Sequence, residues 1–164
     1  IPNTVKKAVE MAIEMGIWMV NVHSLGGREM LKAAYEAKET ASIKPLLIGV
    51  TILTSLDNNS IKQVGLELSV EEQVLLLANL SKEEGLDGVV CSPSELTQLR
   101  KKLGENFLLV TPGIRSQKVE KHDQRRTSTV GEAIEKGADY VVIGREITTD
   151  SDPNKKIKKI LEAV

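Results

Sequence analysis

The sequence predicts an α/β fold built on a parallel sheet, and three observations support this prediction. Five apolar strand segments alternate with helical segments along the 164 residues. The strand segments are almost continuously apolar, which is typical of parallel strands that are covered by helices. Polar residues and glycines follow each strand, where the carboxyl ends of parallel strands meet at one edge.

The elements follow one another at regular intervals. An amphipathic helix begins after Ile1-Pro2-Asn3-Thr4, with apolar residues at helical spacing. Strands are predicted at residues 17–22, 46–53, 87–91, 107–110 and 140–143. Helices are predicted at about residues 28–38, 70–84 and 93–103, from about residue 130, and at 153–163. Residues 56–69 form either a long loop or a short helix with loops, and Ser69 with Glu72 has capping-box spacing.

Two architectures contain such a sheet. Five strands complete a flavodoxin-like doubly wound sheet, whereas a TIM barrel has eight. The first helix has no strand before it, the sequence does not begin with methionine, and functional-looking residues follow every strand. These features favour a TIM (β/α)8 barrel, of which residues 1–164 supply about the last five βα units as a single domain.

Composition narrows the function classes. The chain has 22 Lys and Arg residues against 23 Asp and Glu residues, and only 2% aromatic residues. It therefore lacks the basic excess and the stacking rings of most nucleic-acid-binding proteins, and we expect no nucleic-acid partner. No apolar run approaches the length of a membrane span, so we expect no membrane association. The single cysteine, Cys91, fits a reducing compartment, and we expect a cytoplasmic protein.

Two similar segments predict an anion site. Leu109-Val-Thr-Pro-Gly-Ile-Arg115 and Tyr140-Val-Val-Ile-Gly-Arg145 are each an apolar run that ends at a glycine shortly before an arginine. A glycine allows backbone N–H groups to approach an oxyanion, and a guanidinium adds charge and a forked donor. Barrel enzymes often bind phosphate after strands seven and eight, so we expect phosphate here.

Other polar residues follow the strands. Asn21 and His23 lie two residues apart on the first strand, so their side chains point the same way. They either line an active site or are polar residues at the sheet edge whose hydrogen bonds are satisfied by neighbouring residues. After the second strand, a binding role for Thr54 is favoured over helix capping. Cys91 is expected to pack in the core. The polar segment 116–129 predicts a mobile lid over the phosphate, in which Asp123-Gln124-Arg125-Arg126 supplies an amide and two guanidiniums. No metal-ligand spacing, Ser-His-Asp pattern or nucleotide fingerprint is present.

Several motifs together resemble the bacterial orotidine 5′-monophosphate decarboxylases from Ile1 to the end of the chain. They are Ile1-Pro-Asn-Thr4, Trp18-Met-Val-Asn-Val-His23 with Gly26-Gly27, Val50-Thr-Ile-Leu-Thr-Ser55, Gly85-Leu-Asp-Gly-Val-Val-Cys91, Val110-Thr-Pro-Gly-Ile-Arg115, Asp123-Gln-Arg-Arg126 and Val142-Ile-Gly-Arg145.

The resemblance implies a cofactor-free decarboxylation of orotidine 5′-monophosphate to uridine 5′-monophosphate in pyrimidine synthesis. It implies phosphate binding by Arg115, Gln124 and Arg145 with the Gly144 backbone. It also implies a pyrimidine contact from Thr54 and a homodimer with shared active sites, in which Thr4 reaches the neighbouring subunit's site. The family's catalytic Asp-x-Lys-x-x-Asp motif lies immediately before Ile-Pro-Asn-Thr, so catalytic residues are expected upstream of Ile1.

Two alternatives stay open from the sequence. One is a different phosphate-binding barrel enzyme of the same superfamily, such as a hexulose-phosphate synthase, which uses a metal and other side chains. The other is a non-catalytic barrel fragment that binds a nucleotide or assembles with a partner. Such a fragment would expose unpaired edges at its first and fifth strands.

Overall fold

The computed structural model describes residues 1–115 and 128–162. The helices are α1 (Pro2–Glu14), α2 (Arg28–Glu39), α3 (Asn58–Gln63), α4 (Val70–Glu83), α5 (Leu96–Leu103), α6 (Val130–Glu135), α7 (Arg145–Thr148) and α8 (Pro153–Leu161). The strands are β1 (Met19–His23), β2 (Leu46–Val50), β3 (Gly88–Val90), β4 (Leu108–Thr111), β5 (Ile114–Arg115), β6 (Ser128–Thr129) and β7 (Tyr140–Val141). Among these helices, none has the length and apolar character needed to cross a membrane.

Five strands form one all-parallel sheet in the order β1-β2-β3-β4-β7. One row of paired residues crosses all five strands: His23, Val50, Val90, Val110 and Tyr140. A flavodoxin-like sheet has the order 2-1-3-4-5, whereas successive strands of a barrel wall lie in sequential order. The observed order therefore excludes the flavodoxin-like alternative and agrees with the predicted barrel.

Helices cover one face of this sheet. Alternate residues of each strand point toward these helices. Val89, Cys91 and Leu109 are buried in a cluster with apolar residues of α4, α5 and α6. On the same face, Val22 and Leu47 are buried in a second cluster with residues of α1 and α2. The two clusters form the core between the sheet and its outer layer of helices.

The opposite face of the sheet is concave. Trp18 immediately precedes β1 at one edge, and Tyr140 begins β7 at the other edge. Their ring centroids nevertheless lie only 5.5 Å apart, with the ring planes tilted by 55°. The two edge strands approach each other because the sheet curves as a barrel wall does. Trp18 is 63% exposed at this edge.

An aspartate at the amino end of β3 joins three elements. Asp87 accepts a hydrogen bond from the backbone N–H of Leu47 on β2 at 2.6 Å. The Nζ atom of Lys38 on α2 donates to both carboxylate oxygens of Asp87, at 2.6 and 2.7 Å. The carboxylate thus fixes the start of two strands to the preceding helix.

Asp139, at the amino end of β7, makes the same arrangement between β4 and β7. Its Oδ2 atom accepts from the backbone N–H of Leu109 on β4 and from the Arg100 guanidinium on α5, both at 2.7 Å. We call Asp87 and Asp139 the aspartate clamps. They lie at the amino ends of the strands, opposite the edge at which the candidate site residues lie.

The five predicted strands and their helices are confirmed, and several of their ends differ from the prediction. The first helix begins at Pro2 instead of after Thr4, and the first strand begins at Met19 instead of residue 17. The second strand ends at Val50 instead of residue 53, because Leu53 already belongs to a turn. The fifth strand ends at Val141 instead of residue 143, because the chain turns into α7. The helix predicted from residue 93 begins at Leu96. The short pair β5–β6 and helix α7 were not predicted.

Candidate functional site

Two glycine–arginine segments leave adjacent strands side by side. We call them the first exit (residues 113–115) and the second exit (residues 144–145). Val110 on β4 pairs with Tyr140 on β7, and each exit arginine lies five residues past its strand's member of that pair. The Thr111 carbonyl also accepts from the Val142 N–H at 2.9 Å. The two segments therefore start from paired positions on adjacent strands.

The first exit needs a glycine and is firmly anchored. Gly113 has a φ of 79°, a backbone angle that residues other than glycine rarely adopt. Its carbonyl accepts from the Ser128 N–H at 3.2 Å, and β5 pairs in parallel with β6. Ile114 is only 2% exposed, so it fixes the segment, while Arg115 is half-buried. The anchoring holds the Arg115 backbone beside the sheet edge.

The second exit presents an open backbone. Gly144 caps α7, and its carbonyl accepts from the N–H groups of Ile147 at 2.9 Å and Thr148 at 3.1 Å. Apart from its two chain neighbours, a Cβ atom added at Gly144 would meet no atom of the described residues within 4 Å. Space beside this peptide is therefore free for a ligand, and the exposed Arg145 follows directly. This arrangement suits an oxyanion bound by backbone and guanidinium together.

Thr54 lies at the same edge of the sheet, two strands away from the first exit. It belongs to a turn that the Leu56 N–H closes on the Leu53 carbonyl at 3.0 Å, and it is half-buried. The helix-capping alternative for Thr54 is wrong, because Asp57 caps α3 by accepting from the Ser60 N–H at 2.9 Å.

Thr4 is exposed in the first turn of α1. Its neighbours Ile1 and Val5 line a largely apolar cavity of about 390 Å³, together with Asn21 and His23 of β1. Asn21 and His23 are both exposed, in agreement with their predicted shared direction. The start of α1 thus lies near the edge strand β1.

The predicted lid lies mostly outside the described residues, and so do Gln124 and Asp123-Gln-Arg-Arg126. The predicted lid boundary at residue 129 is wrong. Ser128 and Thr129 form β6, and the Thr129 hydroxyl accepts from the Glu132 N–H to cap α6. Cys91 is 1% exposed in the core, as predicted. Within 1–115 and 128–162, no group of three metal-ligating side chains occurs.

Sequence reasoning missed Thr111 as a functional candidate. This residue is fully buried, and its hydroxyl oxygen has no hydrogen-bond partner among the described residues. It ends β4, two residues before the first exit. The only indication in the sequence is a hydroxyl residue at the end of an apolar strand.

The comparisons with known proteins agree with this geometry. A family profile described as Orotidine 5'-phosphate decarboxylase / HUMPS family matches residues 1–160. The chain belongs to this family. The resemblance expected from the motifs is thereby confirmed.

Individual relatives give the same result. The orotidine 5'-phosphate decarboxylase of Hydrogenovibrio crunogenus is 51% identical over 98% of this chain and 68% of its own length. That of Vibrio campbellii is 50% identical over 100% of this chain and 71% of its own length. The crystal structure of the Lactobacillus acidophilus orotidine 5'-phosphate decarboxylase matches 99% of this chain and 70% of its own, with 37% identity and a TM-score of 0.85. The described α/β fold is thus the barrel fold of these enzymes over about 70% of their length.

Proposed function

We propose that the protein converts orotidine 5′-monophosphate to uridine 5′-monophosphate in pyrimidine biosynthesis, with the two exits as its phosphate site. The pairing of Val110 with Tyr140 is the observation that carries the site proposal, because the two exits start from paired positions on adjacent strands. Family membership supports the reaction. We further propose that residues 1–164 act as one domain of a cytoplasmic enzyme that needs no cofactor.

The phosphate contacts follow from the chemistry of the exits. Arg115 and Arg145 are permanently charged and offer forked N–H donors, which match the geometry of phosphate oxygens. The open backbone at Gly144 supplies a further N–H contact, and the Gln124 amide is proposed as a donor from the segment between the exits. Several charged hydrogen bonds to one dianion give a strong and specific anchor.

The remaining proposed contacts lie around this anchor. Thr54 offers a hydroxyl and backbone groups to the pyrimidine from the carboxyl edge of the same sheet. Thr4 is exposed on α1, and we propose that it reaches the active site of a partner subunit in a homodimer. Its exposure in the first turn of α1 favours a contact made between subunits.

The reaction breaks the bond between the pyrimidine ring carbon and its carboxylate. Carbon dioxide leaves, the electron pair stays on the ring carbon, and a proton then binds there. The family's Asp-x-Lys-x-x-Asp motif does not occur in these 164 residues, so their proposed roles are in binding. Phosphate binding remote from the reacting carbon lowers the barrier only if its energy is used at the transition state.

The test is an assay of the intact protein with orotidine 5′-monophosphate and with its phosphate-free nucleoside. We expect uridine 5′-monophosphate formation, and a kcat/KM for the nucleoside that is lower by at least about a hundredfold, as several charged hydrogen bonds imply. Absence of product would refute the reaction, and equal rates for both substrates would refute the phosphate site. Loss of activity on treatment with EDTA would favour the metal-using alternative of the same superfamily.

A further inference from the structure

The buried hydroxyl of Thr111 needs an explanation. Thr111 is 0% exposed, and Oγ1 has no hydrogen-bond partner among residues 1–115 and 128–162. A buried hydroxyl without a partner is unfavourable, and native proteins contain few such groups. A valine would fill nearly the same volume with no unpaired atom. The presence of threonine is therefore best explained by an arrangement in which this hydroxyl is bonded.

Thr51 provides an internal comparison at the end of β2. Val50, Val90 and Val110 lie in one row, so Thr51 and Thr111 each lie one residue past that row. Thr51 is 1% exposed, and its Oγ1 donates to the Val90 carbonyl at 2.7 Å. Its backbone N–H approaches the same carbonyl at 3.3 Å. A threonine at this level of the sheet can thus satisfy its hydroxyl on the next strand.

Thr111 lies where the two exits leave the sheet. It pairs with Val141 on β7, and its carbonyl accepts from the Val142 N–H at 2.9 Å. By equivalence with Thr51, the acceptor for its hydroxyl is the carbonyl of Tyr140, the residue before its partner on β7. Thr51 makes this bond to its neighbouring strand, and Thr111 does not. The two threonines differ in that Thr111 lies on the strand pair whose two exits lead to Arg115 and Arg145.

We propose that Thr111 is a positioning residue of the phosphate site, whose hydroxyl bonds to the Tyr140 carbonyl when both exits hold a phosphate. This inference rests on the proposed function. The ends of β4 and β7 are already hydrogen-bonded beside Thr111, and a phosphate held by both Arg115 and Arg145 fixes them further. The hydroxyl bond favours this phosphate-bound arrangement, so a group that does not touch the ligand adds to phosphate affinity.

The experiment compares the intact wild-type protein with Thr111→Val, Thr111→Ser and the matched control Thr51→Val. Dissociation constants are measured for uridine 5′-monophosphate and for uridine, and melting temperatures are measured without ligand. We expect Thr111→Val to weaken the nucleotide affinity by about three- to tenfold, the equivalent of one neutral hydrogen bond, with uridine affinity unchanged. We expect the same variant to raise the melting temperature by about 2–4 °C, because an unpaired buried hydroxyl is removed.

The other two variants separate positioning from packing. Thr111→Ser keeps the hydroxyl and should retain the nucleotide affinity within about twofold of wild type. Thr51→Val loses an existing hydrogen bond, so it should lower the melting temperature and leave the ratio of nucleotide to uridine affinity unchanged.

Different results would overturn the positioning role of Thr111 and the phosphate site itself. Nucleotide affinity of Thr111→Val equal to wild type, or a lower melting temperature for that variant, would overturn the positioning role. A wild-type protein that does not prefer the nucleotide over uridine would refute the phosphate site itself, and the positioning role with it.

Discussion

Replacement of Arg145 by Ala in the intact protein should weaken phosphate-dependent binding and catalysis. Arg145 is exposed directly after the open backbone of Gly144. One charged hydrogen bond contributes about 1.5–3 kcal/mol, which corresponds to a loss of roughly 10- to 150-fold in affinity and in kcat/KM. Because the side chain is exposed, its truncation leaves no buried cavity, and the free energy of unfolding should change by less than about 1 kcal/mol.

The assay measures uridine 5′-monophosphate formation from orotidine 5′-monophosphate and dissociation constants for the nucleotide and for uridine. Lys159→Ala is the matched control, because it removes one positive charge from an exposed position on α8. This control should stay within about twofold of wild type, since exposed charges are screened by salt. An equal loss with the phosphate-free nucleoside would refute the reasoning, because Arg145 would then act on the structure instead of the phosphate.

Two further predictions concern the scaffold. Asp139→Ala removes two 2.7 Å hydrogen bonds at an aspartate clamp and should lower the free energy of unfolding, measured by urea denaturation, by about 2–3 kcal/mol. Glu105→Ala is the control, because this side chain is 86% exposed, and it should lower the free energy of unfolding by less than about 0.5 kcal/mol. Equal effects of the two substitutions would contradict the role of the clamp. Hydrogen bonds from Ser69 lower the pKa of Glu72. In thermal melts, wild type should therefore be more stable than Glu72→Gln above the ordinary carboxyl pKa, and this difference in stability should disappear as the pH falls through the lowered pKa. A difference that grows toward acid pH would contradict the capping box.

The parts of the site that depend on local sequence were predictable. An apolar run followed by glycine and arginine identifies a strand and its exit, because the strand pattern and the anion chemistry both lie within a few residues. The capping box at Ser69 and the buried Cys91 were predicted for the same reason. Strand order was not predictable in this way, since five apolar strands fit two architectures until the pairing is known.

The missed features depend on contacts between distant residues. The β5–β6 pair has only two residues in each strand, too few for a periodic pattern. The aspartate clamps join residues 30 and 40 positions apart, as Leu109 with Asp139 and Leu47 with Asp87 show. The Thr111 hydroxyl is buried without a partner among the described residues, and neither its burial nor its missing partner can be read from the identity of the residue.

The central claim is that Arg115 and Arg145 bind one phosphate, and a double-mutant cycle tests it most directly. Dissociation constants for uridine 5′-monophosphate are measured for the intact wild-type protein, Arg115→Ala, Arg145→Ala and the double variant. If both guanidiniums hold the same phosphate, the loss in the double variant should differ from the sum of the single losses by about 0.5–3 kcal/mol, with uridine affinity unchanged throughout. Additive losses within about 0.3 kcal/mol, or parallel losses for uridine, would contradict the claim of one shared anion site.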